Sequence, residues 1–222
     1  MNCPVYILGA GGHGRVVLEL IRSLGYDVAG FTDPDRELWG KEIQGVPVIG
    51  GDDEILKKPT KGVALTMGMG GVGDNGPRMK LYQSLSSRGF IFPCFSHPAA
   101  MVSESARLGN GTVVMAGVVV QAGCLLGENV IINTGALVDH DCHIEDHAHI
   151  APGAVLSGNV SVGSGAHVGT GAVVIQGIRI GERALVAAGA VVVKDVKKRG
   201  RVSGVPAKEM KTQKGEIYNG EN

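Results

Sequence analysis

The segment 133–149 concentrates side chains that are suited to proton-transfer chemistry. Four of the chain's seven histidines lie between His140 and His149, among asparagine, aspartate and glutamate residues. Imidazole has a pKa near neutral pH, and an adjacent carboxylate can orient the ring and stabilise its charged form. His140 stands between Asp139 and Asp141, and the sequence does not decide which carboxylate would contact the ring. A merely solvated corner is the alternative interpretation of this segment.

A glycine-rich loop near the N-terminus is typical of nucleotide binding. The apolar residues 5–8 run into a G-x-G-x-x-G pattern at Gly9, Gly11 and Gly14, and Asp33 follows about twenty residues later. Glycines let the backbone approach a diphosphate, and a helix N-terminus favours its negative charge. Because a dinucleotide needs two such halves and the chain has one, the pattern favours a nucleoside diphosphate over NAD. A turn that only packs a strand on a helix is the alternative.

A six-residue ladder between Val102 and Val192 predicts the element that positions the histidines. Every sixth residue along it is aliphatic, sixteen in all, and the residue four positions after each is small or apolar. The position between these two columns is Gly, Asn or Asp in thirteen of sixteen cases, and these residues tolerate positive φ at a tight corner. A period of six fits neither an isolated helix nor a flat sheet. It predicts a solenoid with one short strand and one corner per hexad.

The first 95 residues predict a small α/β domain ahead of the solenoid. Short apolar runs alternate with amphipathic stretches, which is typical of βαβ units. The expected strands are 5–8, 28–32, 46–50, 63–66 and 90–92, and the expected helices are 15–24, 52–56 and 78–88. We therefore expect domains at 1–95 and 96–200 and a tail at 201–222. The polar residues after Lys211 are expected to be disordered.

Composition argues against several classes of function. The 222 residues carry no formal net charge, so nothing suggests binding to nucleic acid or to a membrane surface. No apolar run is as long as a membrane span and the N-terminus has no secretory leader, so we expect no membrane insertion and a cytoplasmic location. The four cysteines lack metal-finger spacing and are expected to be buried, reduced thiols.

Two sets of motifs carry a resemblance to known families. The unbroken hexads resemble the hexapeptide-repeat proteins, in which three hexads close one triangular coil of a left-handed parallel β-helix. The loop 9–14, Phe31-Thr32-Asp33, Gly73-Asp74-Asn75 with Arg78, and His97-Pro98-Ala99 are similar to motifs of the sialic-acid/bacillosamine acetyltransferase family. The resemblance covers about residues 4–210 and implies an α/β Rossmann-like N-terminal domain followed by a left-handed parallel β-helix. The glycine-rich stretch 67–73 departs from it, because it is longer than the family's usual strand end.

The resemblance also implies roles for individual residues. His140 is the expected general base, Asp141 the matching acid, and Asn133 lies near the sugar nucleotide. The expected nucleotide-sugar contacts are Gly11, Gly12, His13, Gly14 and Asp33. The expected contacts with the acetyl donor are His149, Gly158, Thr170, Ala188 and, in the tail motif 204–208, Lys208. Small residues suit any hexad, which is the alternative explanation for those at 158, 170 and 188.

The function implied is that of an acetyl-CoA-dependent sugar N-acetyltransferase that works as a homotrimer and needs no metal. The expected acceptor is the 4-amino group of a UDP-linked 4-amino-4,6-dideoxy sugar, as in bacillosamine-type glycan biosynthesis. A GDP-perosamine-type acceptor and a sialic acid hydroxyl are the alternatives. His149 follows His140 by nine residues, half of an eighteen-residue coil. Since each side of such a coil spans roughly 20 Å, we expect the two histidines to meet across a subunit boundary, with active sites between subunits.

Two more distant alternatives stay open at this point. His143, His149 and His167 share one position relative to the corners, which would allow a metal site between subunits, as in the γ-class carbonic anhydrases. A non-catalytic scaffold would leave the histidine cluster and the glycine loop unexplained. The basic run 197–201 is either a solvated face or a contact for the phosphates of the cofactor.

Overall fold

The computed structural model describes residues 3–71 and 73–210, and it begins with a five-stranded α/β domain. Its elements are β1 (Val5–Leu8), α1 (Gly12–Ser23), β2 (Val28–Thr32), a 3-10 helix (Arg36–Leu38), β3 (Glu42–Ile43), β4 (Val46–Gly50), α2 (Asp53–Leu56), β5 (Ala64–Met67) and α3 (Gly76–Ser86). The strand order is β3-β4-β2-β1-β5, with parallel pairing except between β3 and β4. The apolar runs of the sequence thus form a buried sheet whose first turn carries the glycine loop.

Both longer helices of this domain begin earlier than the sequence pattern predicts. α1 begins at Gly12, with Gly11 as its N-cap, so the end of the glycine loop forms the first helical turn. α3 begins at Gly76 and has Pro77 in its first turn. Proline is tolerated there because an N–H group in the first turn has no intrahelical acceptor. Both starts follow from local turn chemistry, which hydrophobic periodicity does not record.

The predicted strand at 90–92 is wrong. Ile91 makes one isolated parallel bridge to Ala64 and is exposed, while Phe90 and Phe92 are buried. The Phe92 ring packs against the Tyr82 ring at 4.6 Å. The chain therefore touches the edge of β5 at a single residue and then leaves the sheet for the second domain.

The second domain is a parallel β-helix of mostly two-residue strands. They are β6 (Phe95–Ser96), β7 (Met101–Val102), β8 (Arg107–Leu108), β9 (Val113–Val114), β10 (Val119–Val120), β11 (Leu125–Leu126), β12 (Ile131–Ile132), β13 (Leu137–Val138), β14 (His143–Ile144), β15 (His149–Ile150), β16 (Val155–Leu156), β17 (Ser161–Val162), β18 (His167–Val168), β19 (Val173–Val174), β20 (Arg179–Ile180), β21 (Leu185–Val186), β22 (Val191–Val192), β23 (Arg201–Ser203) and β24 (Lys208–Glu209). Only the β23–β24 pair is antiparallel among these pairings.

The strands form the three faces of a triangular coil. Face 1 contains β7, β10, β13, β16, β19 and β22; face 2 contains β8, β11, β14, β17 and β20; face 3 contains β6, β9, β12, β15, β18, β21, β23 and β24. The chain visits faces 1, 2 and 3 in turn, which gives each coil a corner 1–2, a corner 2–3 and a corner 3–1. His149 pairs with Ile131 before it and His167 after it, so one coil takes eighteen residues.

The aliphatic column of the sequence fills the interior of the β-helix. All of its members except Val102 and Leu108 are buried. The second column is buried as well along most of its length, because a larger side chain would not fit beside the corner. Cys124 and Cys142 belong to that column and are free, buried thiols. The other two cysteines, Cys3 and Cys94, are free but only half-buried.

Helix α3 fixes the first domain against corner 2–3 of the β-helix. Arg78 is 1% exposed, and its guanidinium donates to the carbonyl oxygens of Asn129 and His147 and to the Asn129 side chain. The amide of Asn75, also buried, donates to two carbonyl oxygens of the coil that contains Gly165. These bonds hold the N-terminal domain beside face 3 and leave a cleft between the two.

The remaining sequence predictions about the fold concern membrane insertion and the tail. Within the described ranges, no helix combines the length and the hydrophobicity that crossing a membrane requires. The tail predicted to be disordered after Lys211 lies outside the described residues.

Candidate active site

His140 and Asp141 form a hydrogen-bonded pair at corner 1–2. The corner follows β13, and Asp141 adopts a left-handed conformation with φ 59°. His140 Nδ1 lies 2.9 Å from Asp141 Oδ2, and the Asp139 carboxylate accepts instead from the backbone N–H of His140 at 2.7 Å. Asp141 is therefore the carboxylate that holds the ring. With Nδ1–H donating to it, Nε2 keeps a free lone pair, as a general base requires.

Two glycines clear the space on either side of this pair. Gly158 lies one coil further on, and a Cβ atom there would be 2.5 Å from both Cε1 and Nε2 of His140. Gly123 lies one coil earlier, and a Cβ atom there would overlap the carboxylate of Asp141. The observed positions of His140 and Asp141 therefore require glycine at these two places in the neighbouring coils.

The surroundings of His140 favour its charged form. The hydrogen bond to Asp141 raises the pKa of His140 above its ordinary value, with the charges of Asp139 and Asp141 acting in the same direction. The side chains of His140 and Asp141 are 53% and 68% exposed, so incoming groups can reach them. An exposed imidazole held by a carboxylate is equipped to accept a proton from a substrate.

A second set of predicted residues lines the cleft between the two domains, which we call the interdomain cleft. Its volume is about 870 Å³. The first domain contributes His13, Gly70, Gly71, Gly73 and Asp74 to its wall, and the β-helix contributes face 3 and corners 2–3 and 3–1. Of the residues predicted for the site, the cleft brings together His13, Asn133, His149, Thr170 and Ala188.

His149 lines this cleft and is held in one orientation by two hydrogen bonds. Its Nδ1 lies 3.1 Å from the carbonyl oxygen of Gly71, and its Nε2 lies 3.2 Å from the side-chain nitrogen of Asn133. One tautomer satisfies both contacts: Nδ1–H donates to Gly71, and Nε2 accepts from Asn133. The His13 and His167 rings lie 6.5 Å and 4.8 Å from the His149 ring.

These cleft histidines are neutral near pH 7. Burial is the main cause that lowers the pKa of His149 to about 2, and electrostatic interactions with His167, Arg78 and His13 contribute in the same direction. Burial, reinforced by the charge of Arg78, lowers the pKa of His13 and of His167 to about 4. They are therefore suited to hydrogen bonding and shape recognition rather than to accepting a proton.

The other predicted residues occupy varied places. Gly11 and Gly12 are exposed, with open space where a Cβ atom would stand, so a ligand can approach their backbone. Gly14 is buried in contact with the Gly9 carbonyl, and Asp33 accepts from the N–H of Ala10 at 2.8 Å. These two shape the loop.

Lys208 is exposed in β24 and is not part of the cleft wall, and neither are His140, Asp141 and Gly158. In one chain, therefore, the candidate base and the cleft lie at different corners of the coil.

The cleft residues that were not predicted as site residues include three arginines, Arg183, Arg199 and Arg201. A signal for the first was present, because position 183 breaks the Gly, Asn or Asp pattern of the corners. Arg199 and Arg201 lie in the basic run 197–201. Which members of this run face the cleft and which face solvent depends on the geometry of the last coil. Across residues 3–71 and 73–210, no three His, Cys, Asp or Glu side chains are grouped as a metal site would need.

Comparison with known families matches both domains. Residues 4–85 match the PglD N-terminal domain, and residues 105–140 and 141–176 match the bacterial transferase hexapeptide (six repeats). A perosamine N-acetyltransferase from Caulobacter crescentus, solved as a variant with one histidine replaced and in complex with CoA and GDP-perosamine, is 41% identical. It aligns over 94% of this chain and 97% of its own, with a TM-score of 0.88. The chain belongs to this family of hexapeptide-repeat sugar N-acetyltransferases.

Two further relatives agree with this assignment. The acetyltransferase domain of PglB from Neisseria gonorrhoeae, solved with acetyl coenzyme A, is 41% identical over 95% of this acetyltransferase and 100% of that chain, with a TM-score of 0.88. UDP-N-acetylbacillosamine N-acetyltransferase of Bacillus subtilis is 40% identical over 114 residues. That match spans 50% of this acetyltransferase and 51% of the curated relative. The predicted fold, a Rossmann-like domain followed by a left-handed parallel β-helix, and the predicted enzyme class, an acyltransferase, are confirmed.

Proposed function

We propose that this acetyltransferase moves the acetyl group of acetyl-CoA to the amine of a nucleotide-linked amino sugar, with His140 as the general base. The observation that carries the proposal is the His140–Asp141 pair, with its 2.9 Å contact and its exposed ring, in a corner cleared by two glycines. Relatives that are 41% identical over nearly the whole chain were solved with CoA and GDP-perosamine or with acetyl coenzyme A.

In the proposed reaction, the neutral amine of the sugar attacks the thioester carbonyl carbon. A C–N bond forms, the carbonyl becomes an oxyanion, and Nε2 of His140 takes the proton that the nitrogen loses. Asp141 stabilises the resulting imidazolium. We assign stabilisation of the oxyanion to backbone N–H groups near Gly158, which borders the ring. Collapse then breaks the C–S bond, and the proton on His140 is available to the departing thiolate of CoA.

We further propose that the site is completed by a neighbouring subunit of a homotrimer. His140 lies at corner 1–2 and His149 lies on face 3, and the interdomain cleft does not include His140. Since each side of the coil spans roughly 20 Å, one chain cannot bring both residues to a single acetyl group. A second copy that presents its corner 1–2 to the cleft would supply the base.

For the acceptor we propose the 4-amino group of a UDP-linked 4-amino-4,6-dideoxy sugar. The support is the 40% identity to the curated enzyme named for a UDP-linked bacillosamine sugar. A GDP-perosamine-type acceptor is the second candidate, favoured by the 41% identity to the perosamine enzyme along nearly its whole length. The open backbone at Gly11 and Gly12 is compatible with either nucleoside diphosphate.

The test is release of CoA thiol from acetyl-CoA with a panel of UDP- and GDP-linked 4-amino sugars and with sialic acids. We expect one UDP-linked amino sugar to drive release in the wild type. His140→Ala should lower kcat at least ~10²-fold, the size of a general-base contribution. His143→Ala is the matched control, because His143 is an exposed histidine on face 2, outside the pair, and it should keep wild-type activity. If only a GDP-linked sugar drives release, the proposed UDP linkage is wrong. If none of the acceptors in the panel drives release, the proposal is refuted.

A further inference from the structure

A short segment after β5, residues 68–71, runs from the glycine loop to the interdomain cleft, and we call it the glycine strap. Its first residue, Gly68, donates its N–H to the carbonyl oxygen of Leu8 at 2.8 Å. A Cβ atom at Gly68 would overlap the carbonyl oxygen of Gly9 and would lie 3.0 Å from the Cα atom of Gly14. The strap therefore packs directly on the glycine loop, and only glycine at position 68 permits this contact.

The other end of the strap is held near the β-helix by Asn75. The side chain of Asn75 is 2% exposed, and its nitrogen donates at 3.2 Å to the carbonyl oxygens of Gly165 and Ala166. A Cβ atom at Gly71 would overlap the side-chain oxygen of Asn75. Asn75 thus fixes how closely Gly71 approaches face 3.

This approach determines which nitrogen of His149 carries the hydrogen. The Gly71 carbonyl oxygen lies 3.1 Å from Nδ1 of His149. A carbonyl oxygen can only accept, so the hydrogen is on Nδ1, and the neutral imidazole keeps a lone pair on Nε2. Histidine in water favours the opposite tautomer, with the hydrogen on Nε2. The strap therefore selects the less common form.

The amide of Asn133 is oriented to match that form. Its oxygen accepts from the backbone N–H of Thr134 at 2.8 Å, so its nitrogen faces Nε2 of His149 at 3.2 Å. The other tautomer of His149 would place an N–H group against this amide nitrogen. Within residues 3–71 and 73–210, His149 is the one partner of that nitrogen. Because Asn133 lines the interdomain cleft, its second N–H is available to a ligand.

We propose that Gly71 is a positioning residue, which acts through His149 to make Asn133 a hydrogen-bond donor to a ligand oxygen in the interdomain cleft. This inference rests on the proposed function. Both substrates carry a suitable oxygen: the acyl donor has its thioester carbonyl, and the acceptor sugar has its hydroxyls. The shared chemistry is an uncharged oxygen that accepts one N–H hydrogen bond.

Gly71→Ala tests this chain of contacts. The backbone at Gly71 is not left-handed, so alanine adds no backbone strain, but its methyl group would overlap the Asn75 oxygen. Since two hydrogen bonds hold Asn75 in place, the strap must withdraw by roughly 1 Å to reach ordinary contact, and the 3.1 Å bond to His149 is lost.

NMR of the enzyme with ¹⁵N-labelled histidine gives the first readout and needs no substrate. Wild-type His149 should show the Nδ1–H tautomer. In Gly71→Ala the tautomer ratio should move about fivefold towards Nε2–H, the size of one lost hydrogen bond. Gly70→Ala is the matched control from the same strap, because its Cβ atom would meet His13 at an ordinary 3.4 Å, and it should keep the wild-type nitrogen shifts of His149.

Steady-state thiol release gives the second readout and identifies the ligand oxygen. A rise of about tenfold in KM for acetyl-CoA in Gly71→Ala assigns the thioester carbonyl, and the same rise in KM for the nucleotide sugar assigns a sugar hydroxyl. A lower Tm with an unchanged tautomer would overturn the proposal, as would a changed tautomer with wild-type kcat and both KM values unchanged. If no sugar drives thiol release in the wild type, the proposed function fails, and the tautomer measurement still decides whether the strap positions His149.

Discussion

Gly158→Ala is the substitution whose effect the geometry defines most sharply. The new Cβ atom would lie 2.5 Å from two ring atoms of His140, and ordinary contact begins near 3.4 Å. The ring must therefore withdraw by about 1 Å, a displacement that can reduce the rate of a positioned catalytic group ~10²-fold. The backbone at Gly158 is not left-handed, so alanine introduces no strain there, and stability should change by less than about 1 kcal/mol.

The assay is steady-state thiol release together with urea unfolding of the same preparations. We expect kcat to fall about a hundredfold with little change in the unfolding midpoint. Because withdrawal also weakens the 2.9 Å contact with Asp141, the raised pKa of His140 should fall and the acidic limb of the pH–rate profile should move to lower pH.

A double variant distinguishes this explanation from direct binding of the donor by Gly158. If Gly158 acts only by positioning the ring, adding Gly158→Ala to His140→Ala should cost no further activity. Ser157→Ala, at the neighbouring position of the same corner, is the matched control and should retain wild-type kcat. Wild-type kcat in Gly158→Ala with a raised KM for acetyl-CoA would refute the positioning argument and favour a cofactor contact.

Three further predictions follow from the hydrogen bonds and charges of the site. Asp141→Asn removes the carboxylate that raises the pKa of His140. Because kcat/KM falls as the base becomes protonated, the acidic limb of its pH profile should shift to lower pH, and kcat should decrease. A pH–rate series measures both effects. His149, whose pKa burial lowers to about 2, should show the NMR signals of one neutral tautomer between about pH 8 and about pH 5, whereas the midpoint of the His140 titration should lie above the ordinary histidine value. Arg78→Met leaves buried carbonyl groups of the interface without a donor and should lower the free energy of unfolding by about 3 kcal/mol or more, measured by urea denaturation at fixed protein concentration.

The sequence predicted the parts of the molecule that depend on local repetition. The six-residue ladder determines the β-helix, because each aliphatic residue must enter the same narrow interior and each corner needs a residue that tolerates positive φ. The neighbours His140 and Asp141 are in contact because they share one tight corner. The choice between Asp139 and Asp141 needed the structure, since it depends on the left-handed φ of Asp141.

Features that depend on distant segments were outside the reach of the sequence pattern. The contact between His149 and the Gly71 carbonyl joins residues 78 positions apart, and the bond from Arg78 to His147 joins residues 69 positions apart. Both require the docking of α3 on corner 2–3, which no periodicity records. The sequence also left open whether the basic run 197–201 is a solvated face or a ligand contact. The fold of the last coil decides this, because it places Arg199 and Arg201 in the interdomain cleft while Lys197 pairs with Glu209.

The measurement that most directly tests the central claim is activity complementation between His140→Ala and His149→Ala. Each variant alone should be nearly inactive. If each site takes its base from one subunit and its cleft from the next, random mixing of equal amounts in a closed trimer should make about a quarter of the sites complete. We therefore predict that co-expressed or reassociated mixtures recover about a quarter of the wild-type thiol release. Mixed oligomers that form but recover no activity would contradict a site built from His140 of one subunit and the cleft of its neighbour.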